Sequence, residues 1–221
     1  MNLSDKITIT NEDNMKLMAR YPDGYFDLAI VDPPYGIGVA NNSTGTIIRN
    51  KSDKDIFVKK DWDKSIPNQE YFNELFRVST NQIIWGGNYF LDILGYCKAP
   101  IIWDKLNGDS MYADGELAWT SKGLPKNLKI WRHQWCGAFK DSERGMQKYH
   151  PTQKPVALYK WILDKYAKSG DKILDTHLGS GSIAIACHDY DFELTACELD
   201  KEYYDNAIKR IKNHMAQQKL F

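Results

Sequence analysis

The chain has 221 residues, 43% of them hydrophobic and 26% charged, with 29 basic side chains against 29 acidic ones. That suffices for one well-buried domain and is short for two, while no apolar run approaches the roughly 20 residues needed to cross a bilayer. Cys97, Cys136, Cys187 and Cys197 form no CxxC pair, His133 and Cys136 have no second pair to complete a zinc site, and MNLSDKITIT lacks signal-peptide regions, so a reducing, cytoplasmic setting without a metal is expected.

Short apolar runs alternate with amphipathic ones along the chain. KITIT (6–10) reads as a strand, and MKLMARY (15–21) reads as a helix with Asp13 placed to cap it. DLAIV (27–31) is a second strand. It runs directly into Asp32, Pro33, Pro34 and Tyr35, where two prolines end hydrogen bonding and make a stiff extended elbow. Residues 36–67 lack periodicity and carry Arg49, Lys51, Lys54, Lys59 and Lys60, a set that suits either phosphate contact or a solvated loop. A helix is expected over 68–79, then strands at QIIW (82–85), APIIW (99–103) and ELAWT (116–120), with Trp85 and Trp103 in the core.

Residues 121–150 again lack strong periodicity. From Lys122 to Lys160 there are nine Lys or Arg and only two acids, Asp141 and Glu143, a local excess of seven positive charges on a neutral chain. Lys126, Lys129 and Arg132 lie in this tract among aromatic residues, a composition suited to nucleic acid as well as to a solvated surface.

The C-terminal third reads as helix 155–167, strand KILD (172–175), a glycine turn, helix 182–190, strand ELTACE (193–198) and helix 201–218. Gly179 and Gly181 permit a tight turn and close approach of a ligand to the backbone, with Ser180 and Ser182 between and after them. Glu198, ending the next strand, can accept the hydroxyls of a ribose. Gly179, Gly181 and Ala184 also fit the glycine spacing of dinucleotide enzymes. Asp175 leans away from that reading. An acid ahead of the glycines repels a pyrophosphate and suits a cationic ligand such as S-adenosyl-L-methionine. Strands alternating with helices give an α/β chain with a mostly parallel sheet and helices on both faces, one domain over 1–221 with a recognition insertion near 121–150.

With both motifs in view, the chain resembles the DNA amino-methyltransferases, which methylate an exocyclic base nitrogen. Asp32-Pro33-Pro34-Tyr35 matches that family's [D/N/S]PP[Y/F] signature, and HPTQKP (150–155), IIWGGNYF (83–90), IIWDK (101–105) and ITNEDN (9–14) resemble further segments in the order of its permuted beta group. The resemblance implies a Rossmann-like fold that binds S-adenosyl-L-methionine and methylates N6 of adenine in DNA. Asp32 and the Pro33 carbonyl would polarise the amine, with Pro34 stiffening the elbow, and Tyr35 would stack on a base flipped from a duplex or taken from a single strand. It further implies cofactor contacts from Asp13, Asp32, Lys154, Asp175, His177, Gly179, Ser180, Gly181, Ser182 and Glu198. Arg49, Lys51, Lys126, Lys129 and Arg132 would contact nucleic acid.

Two departures stand out. Thr176 and His177 replace the Pro-Phe expected before the glycines, and no large recognition domain is present. RNA as substrate, N4 of cytosine as target, and a non-catalytic binding subunit are the alternative readings. A restriction–modification setting is expected, with a homodimer or partner subunit left open.

Overall fold

A computed structural model describes residues 2–38, 60, 62–108, 113–136 and 139–217. In chain order these form β1 (Ile7–Thr10), α1 (Asn14–Met18), β2 (Phe26–Val31), α2 (Gln69–Val78), β3 (Ser79–Trp85), α3 (Leu91–Leu94), β4 (Ile101–Asp104) and β5 (Gly115–Thr120). They continue with β6 (Lys129–Arg132), β7 (Trp135–Cys136), β8 (Phe139–Lys140), α4 (Val156–Tyr166), β9 (Lys172–Asp175), α5 (Ser182–Asp189), β10 (Glu193–Cys197) and α6 (Lys201–Met215).

Among the described residues, one sheet runs β1-β10-β9-β2-β3-β5-β4-β6, and β7 and β8 form a separate antiparallel pair. β1, β10, β9, β2 and β3 are mutually parallel, β5 is antiparallel to both neighbours, and β4 and β6 are parallel. The central strands are covered on both faces, which explains why β2 is apolar from Leu28 to Val31 rather than alternating. Ile83 and Trp85 pack on the side of Leu158, Ile162 and Ile185, while Ile84 between them packs with Leu17, Phe72 and Leu75. This two-residue alternation is the pleat expressed as packing. Trp85 and Trp103, both fully buried, meet edge-on with centroids 6.4 Å apart, an arrangement worth roughly 1 kcal/mol beyond area burial.

The register creates a wall beside the crevice. Trp85, at the end of β3, lies level with Ala118, and Ala118 with Ile101 and Lys129. β4 and β6 therefore begin where β3 ends and rise roughly 10 Å above it over three residues. Glu116 and Lys105 stand on this raised part.

Part of residues 121–150 is built into the main sheet, where β6 forms its last strand and Trp131 packs against the core. Past Trp85 the chain leaves β3, because Gly86 at φ 70° turns it into a 3-10 turn at Gly87–Tyr89.

Candidate active site

β2 and β9 are neighbours, with Leu28 beside Ile173 and Ala29 beside Leu174. Their carboxyl ends thus bring Asp32 and the glycine loop to one crevice, where ligands bind in open parallel sheets. Pro33 is buried at the turn. The elbow beyond it is held by Asp63, a buried carboxylate whose Oδ1 accepts the N–H groups of Tyr35 (2.8 Å) and Gly36 (2.9 Å). The Tyr35 ring lies over Gly86, where a Cβ would collide with it, and stacks on Tyr89 at 4.9 Å and 16°. Its hydroxyl donates to Asp32 Oδ1 at 2.6 Å. Burial, then the nearby Asp32 and Glu116 charges, push the Tyr35 hydroxyl well up, so it is a neutral donor.

The other oxygen of Asp32 accepts from Lys154 Nζ at 2.5 Å. The same ammonium lies 3.0 Å from Glu116 Oε2, and Lys105 Nζ lies 2.5 Å from Glu116 Oε1. Burial alone would raise the Glu116 carboxyl, but Lys154 and Lys105 outweigh it and hold it at about 2.

On the glycine side, Gly179 (φ 53°) and Gly181 (φ 76°) make a left-handed turn, and Gly181 forms the N-cap of α5. Glu198 steadies this turn: Oε2 accepts from the Gly179 N–H and Oε1 from the Asp200 N–H, both at 2.9 Å. Asp175 is buried at the end of β9. Its carboxyl is pushed up to about 8, first by burial, with the negative Asp32 and Glu198 adding to it against the His177 N–H bond. Asp32, Asp175 and Glu198 lie close enough for their charges to act on one another, and among the described residues Asp32 is the one of the three with a cation within bonding distance. That electrostatic arrangement fits a ligand carrying positive charge.

Burial brings His177 down to about 4, so its ring is neutral. Its nitrogens meet Asn14 Nδ2 (3.1 Å) and Thr176 Oγ1 (2.9 Å), and its edge meets the Tyr71 ring. The two departures Thr176 and His177 are therefore tied to α1 and α2 rather than left loose. His150 packs over Gly179 and against Trp62 and Tyr203.

Asp32, Pro33, Pro34 and Tyr35 line one small cleft with Trp62, Asp63 and Thr152; Lys154 reaches it through Asp32, and Asp175, His177, Gly179 and Glu198 lie at the carboxyl ends of the neighbouring β9 and β10. Other expected residues are placed differently. Asp13 caps α1, accepting from Met15 N and Lys16 N with one oxygen. The hydroxyls of Ser180 and Ser182 turn inward: they contact each other, Ser182 donates to the Lys154 carbonyl, and Arg210 donates to Ser182 Oγ and the Ser180 carbonyl. Lys126, Lys129 and Arg132 are exposed on or just before β6, four strands and roughly 19 Å sideways from β2; Arg132 also pairs with Asp104 at 3.3 Å. Arg49, Lys51, Lys54 and Lys59 lie outside the described residues.

Sequence reasoning missed Asp63, Lys105, Glu116 and Glu143. Glu143 accepts from the Val156 N–H at the start of α4, and from Gln153 and Arg210, binding the basic tract to the cofactor-side helices. Glu116 left a trace as the charge that opens the apolar run ELAWT, Glu143 as one of two acids in the basic tract, and Lys105 as the end of IIWDK.

Residues 103–209 match the profile of a family described as DNA methylase. The type II methyltransferase M2.DpnII of Streptococcus pneumoniae is 24% identical, over 94% of this chain and 90% of the relative. The type II methyltransferase M.HinfI of Haemophilus influenzae is 26% identical, over 96% and 70%. Among solved structures, the M1.HpyAVI–SAM complex superposes with a TM-score of 0.60 at 22% identity, covering 92% of this chain and 98% of that one. PvuII DNA methyltransferase (cytosine-N4-specific) superposes at 0.57 with 11% identity, covering 96% and 87%. The fold is therefore that of the methyltransferases. Beyond the fold, the resemblance to the DNA methylases rests on the profile match over residues 103–209, just under half of the chain.

Proposed function

We propose that the chain methylates the exocyclic N6 amine of adenine in DNA, using S-adenosyl-L-methionine. The observation that carries this reading is the meeting of the Asp32 elbow with an acid-lined glycine turn at adjacent strand ends. The relatives named as type II methyltransferases support it. When bound, the cofactor supplies an electrophilic methyl group on a sulfonium. Asp175 faces its cationic end, Glu198 and Gly179 take the ribose side, and the neutral His177 offers a ring where the family expectation places a phenyl group. Asp13 has one carboxylate oxygen left for the adenine side.

The chain's own residues account for the nucleophile. A base amine is weakly nucleophilic because its lone pair is delocalised into the ring. The Asp32 carboxylate and Pro33 carbonyl accept its two hydrogens and draw the lone pair out of conjugation, with the direction fixed beforehand by the elbow. The Tyr35 hydroxyl gives up Asp32 Oδ1 to the incoming amine. The bound cofactor would give its methyl to the amine nitrogen and be left as a thioether, and Asp32 or water would take the proton the nitrogen sheds. The target base leaves its stack, because the crevice lies below the β4–β5–β6 wall. Lys126 just before β6 and Lys129 and Arg132 on it, with Arg49 and Lys51, supply the flanking phosphate contacts. The permuted beta-group order and a partner restriction activity belong to the same proposal.

The test is transfer of labelled methyl to duplex DNA, single-stranded DNA and RNA, with the products digested and identified by mass. N6-methyladenine in DNA is expected, and its loss by at least about a hundredfold in Asp32→Ala. Label in N4-methylcytosine or in RNA alone overturns the assigned target.

A further inference from the structure

Lys154 is a buried charge placed between two carboxylates. Its side chain is 4% exposed, and its ammonium is shared by Asp32 and Glu116 while lying 5.4 Å from the Trp85 ring centre and 5.8 Å from that of Tyr35. The backbone beneath it is fixed, because Ser182 Oγ donates to the Lys154 carbonyl at 2.7 Å and Glu143 caps the helix that follows. An ammonium has three donors. One donates to Asp32 Oδ2 and one reaches the Tyr35 hydroxyl at 3.4 Å, while Glu116 Oε2 lies 3.0 Å away as an ion-pair partner.

We infer that Lys154 and Glu116 are positioning residues for methyl transfer: Lys154 fixes the Asp32 carboxylate, and Glu116 draws the ammonium partly off Asp32 so that the carboxylate can accept the target amine. The inference rests on the proposed N6 methylation. Both Asp32 oxygens are taken without a substrate, one by a neutral hydroxyl and one by an ammonium. The hydroxyl is the weaker competitor and is the one an amine displaces. A Lys154 bound to Asp32 alone would hold it more tightly and blunt it as an acceptor. Glu116, itself shared with Lys105, prevents this by dividing the ammonium between two carboxylates.

The groups facing Asp32 come from every side: Tyr35 from the elbow, Lys154 ahead of α4, Tyr159 on α4, Glu116 on β5 and Asp175 on β9. Lys154 is the cation among them, and Glu116 and Asp175 are acids. Removing Lys154 and removing Glu116 must therefore move the Asp32 titration in opposite directions, which loss of packing alone would not do.

The test combines two measurements on the full chain: the carbon-13 NMR titration of the Asp32 carboxylate, and the pH dependence of kcat at saturating cofactor and adenine-containing duplex. Lys154→Met is expected to move the Asp32 midpoint and the acid limb of kcat upward by about one unit or more. On the pH-independent plateau kcat should fall at least about tenfold through loss of positioning, with cofactor affinity by calorimetry within about twofold of the unsubstituted protein. Glu116→Gln is expected to move the midpoint downward and lower kcat. Lys154→Arg, which keeps the charge, should hold the midpoint near its original value. If Lys154→Met does not fold, the downward shift in Glu116→Gln carries the test. Adenine methylation with an unmoved midpoint, or shifts of the same sign in both variants, overturns the inference alone. A cofactor affinity weakened about tenfold in Lys154→Met with the acid limb unmoved returns Lys154 to the cofactor and also overturns it. Absence of adenine methylation by the unsubstituted protein overturns the proposed function, and the inference with it.

Discussion

Asp175→Asn should change two pH dependences at once, one of folding and one of cofactor binding. Burial and the neighbouring acids push the Asp175 carboxyl from 3.8 up to about 8 in the folded chain. The unfolded chain releases that proton near 4, so between about pH 4 and pH 8 the folded state holds one proton more. Its contribution to stability is complete below pH 4, falls as pH rises through this window, and is lost above about 8. The slope approaches 1.4 kcal/mol per pH unit in mid-window, the value for one proton. A cationic ligand binds the ionised form. At pH 7 roughly one molecule in eleven is already ionised, so binding should release about 0.9 proton at that pH. Calorimetry at pH 7 in buffers of different ionisation enthalpy counts the protons, and thermal melts from pH 5 to 7 give the stability slope. Asp175→Asn should lose the proton release and flatten the slope. Equal proton counts and slopes in the two proteins would refute the assignment of Asp175 as the buried acid opposite the cationic end of the ligand.

Gly86→Ala places a methyl group against the Tyr35 ring at a φ of 70°; a stability loss of about 2 kcal/mol or more and a reduced kcat are expected, read by melting and turnover. Glu143→Ala leaves the buried Arg210 guanidinium without its carboxylate and uncaps α4, so a loss of roughly 3–5 kcal/mol is expected in denaturant melts. Replacing Lys126 and Lys129 together by Gln should lower the slope of log affinity against log salt for duplex DNA by about 1.8. An unchanged slope would remove the β6 edge from the DNA contact surface.

The strands were legible where both faces are buried. DLAIV, QIIW, KILD and ELTAC are short apolar runs bounded by polar turns, and each became a strand of the parallel core. Asp32 and the glycine loop were legible too, because each is a compact motif whose chemistry is carried by consecutive residues. β6 was not, since Lys129, Ile130 and Arg132 are exposed at the sheet edge and no apolar face marks it. Glu116, Asp63 and Lys105 were hidden for another reason. Each acts through partners far away in the chain, and no spacing rule announces a pair such as Lys154 and Glu116. The departure at Thr176 and His177 reads differently once their partners Tyr71 and Asn14 are known.

The pairing of β2 with β9 also bears on how the protein is made. Leu28 finds Ile173, and Ile7 finds Leu194, only after most of the chain has been synthesised. Until then the first strands emerge from the ribosome with open hydrogen-bonding edges and no neighbour on one side. Such long-range parallel pairing slows folding and prolongs exposure to aggregation. A prematurely terminated chain lacking β9 and β10 would carry the elbow without the β2–β9 seam that sets it beside the glycine loop.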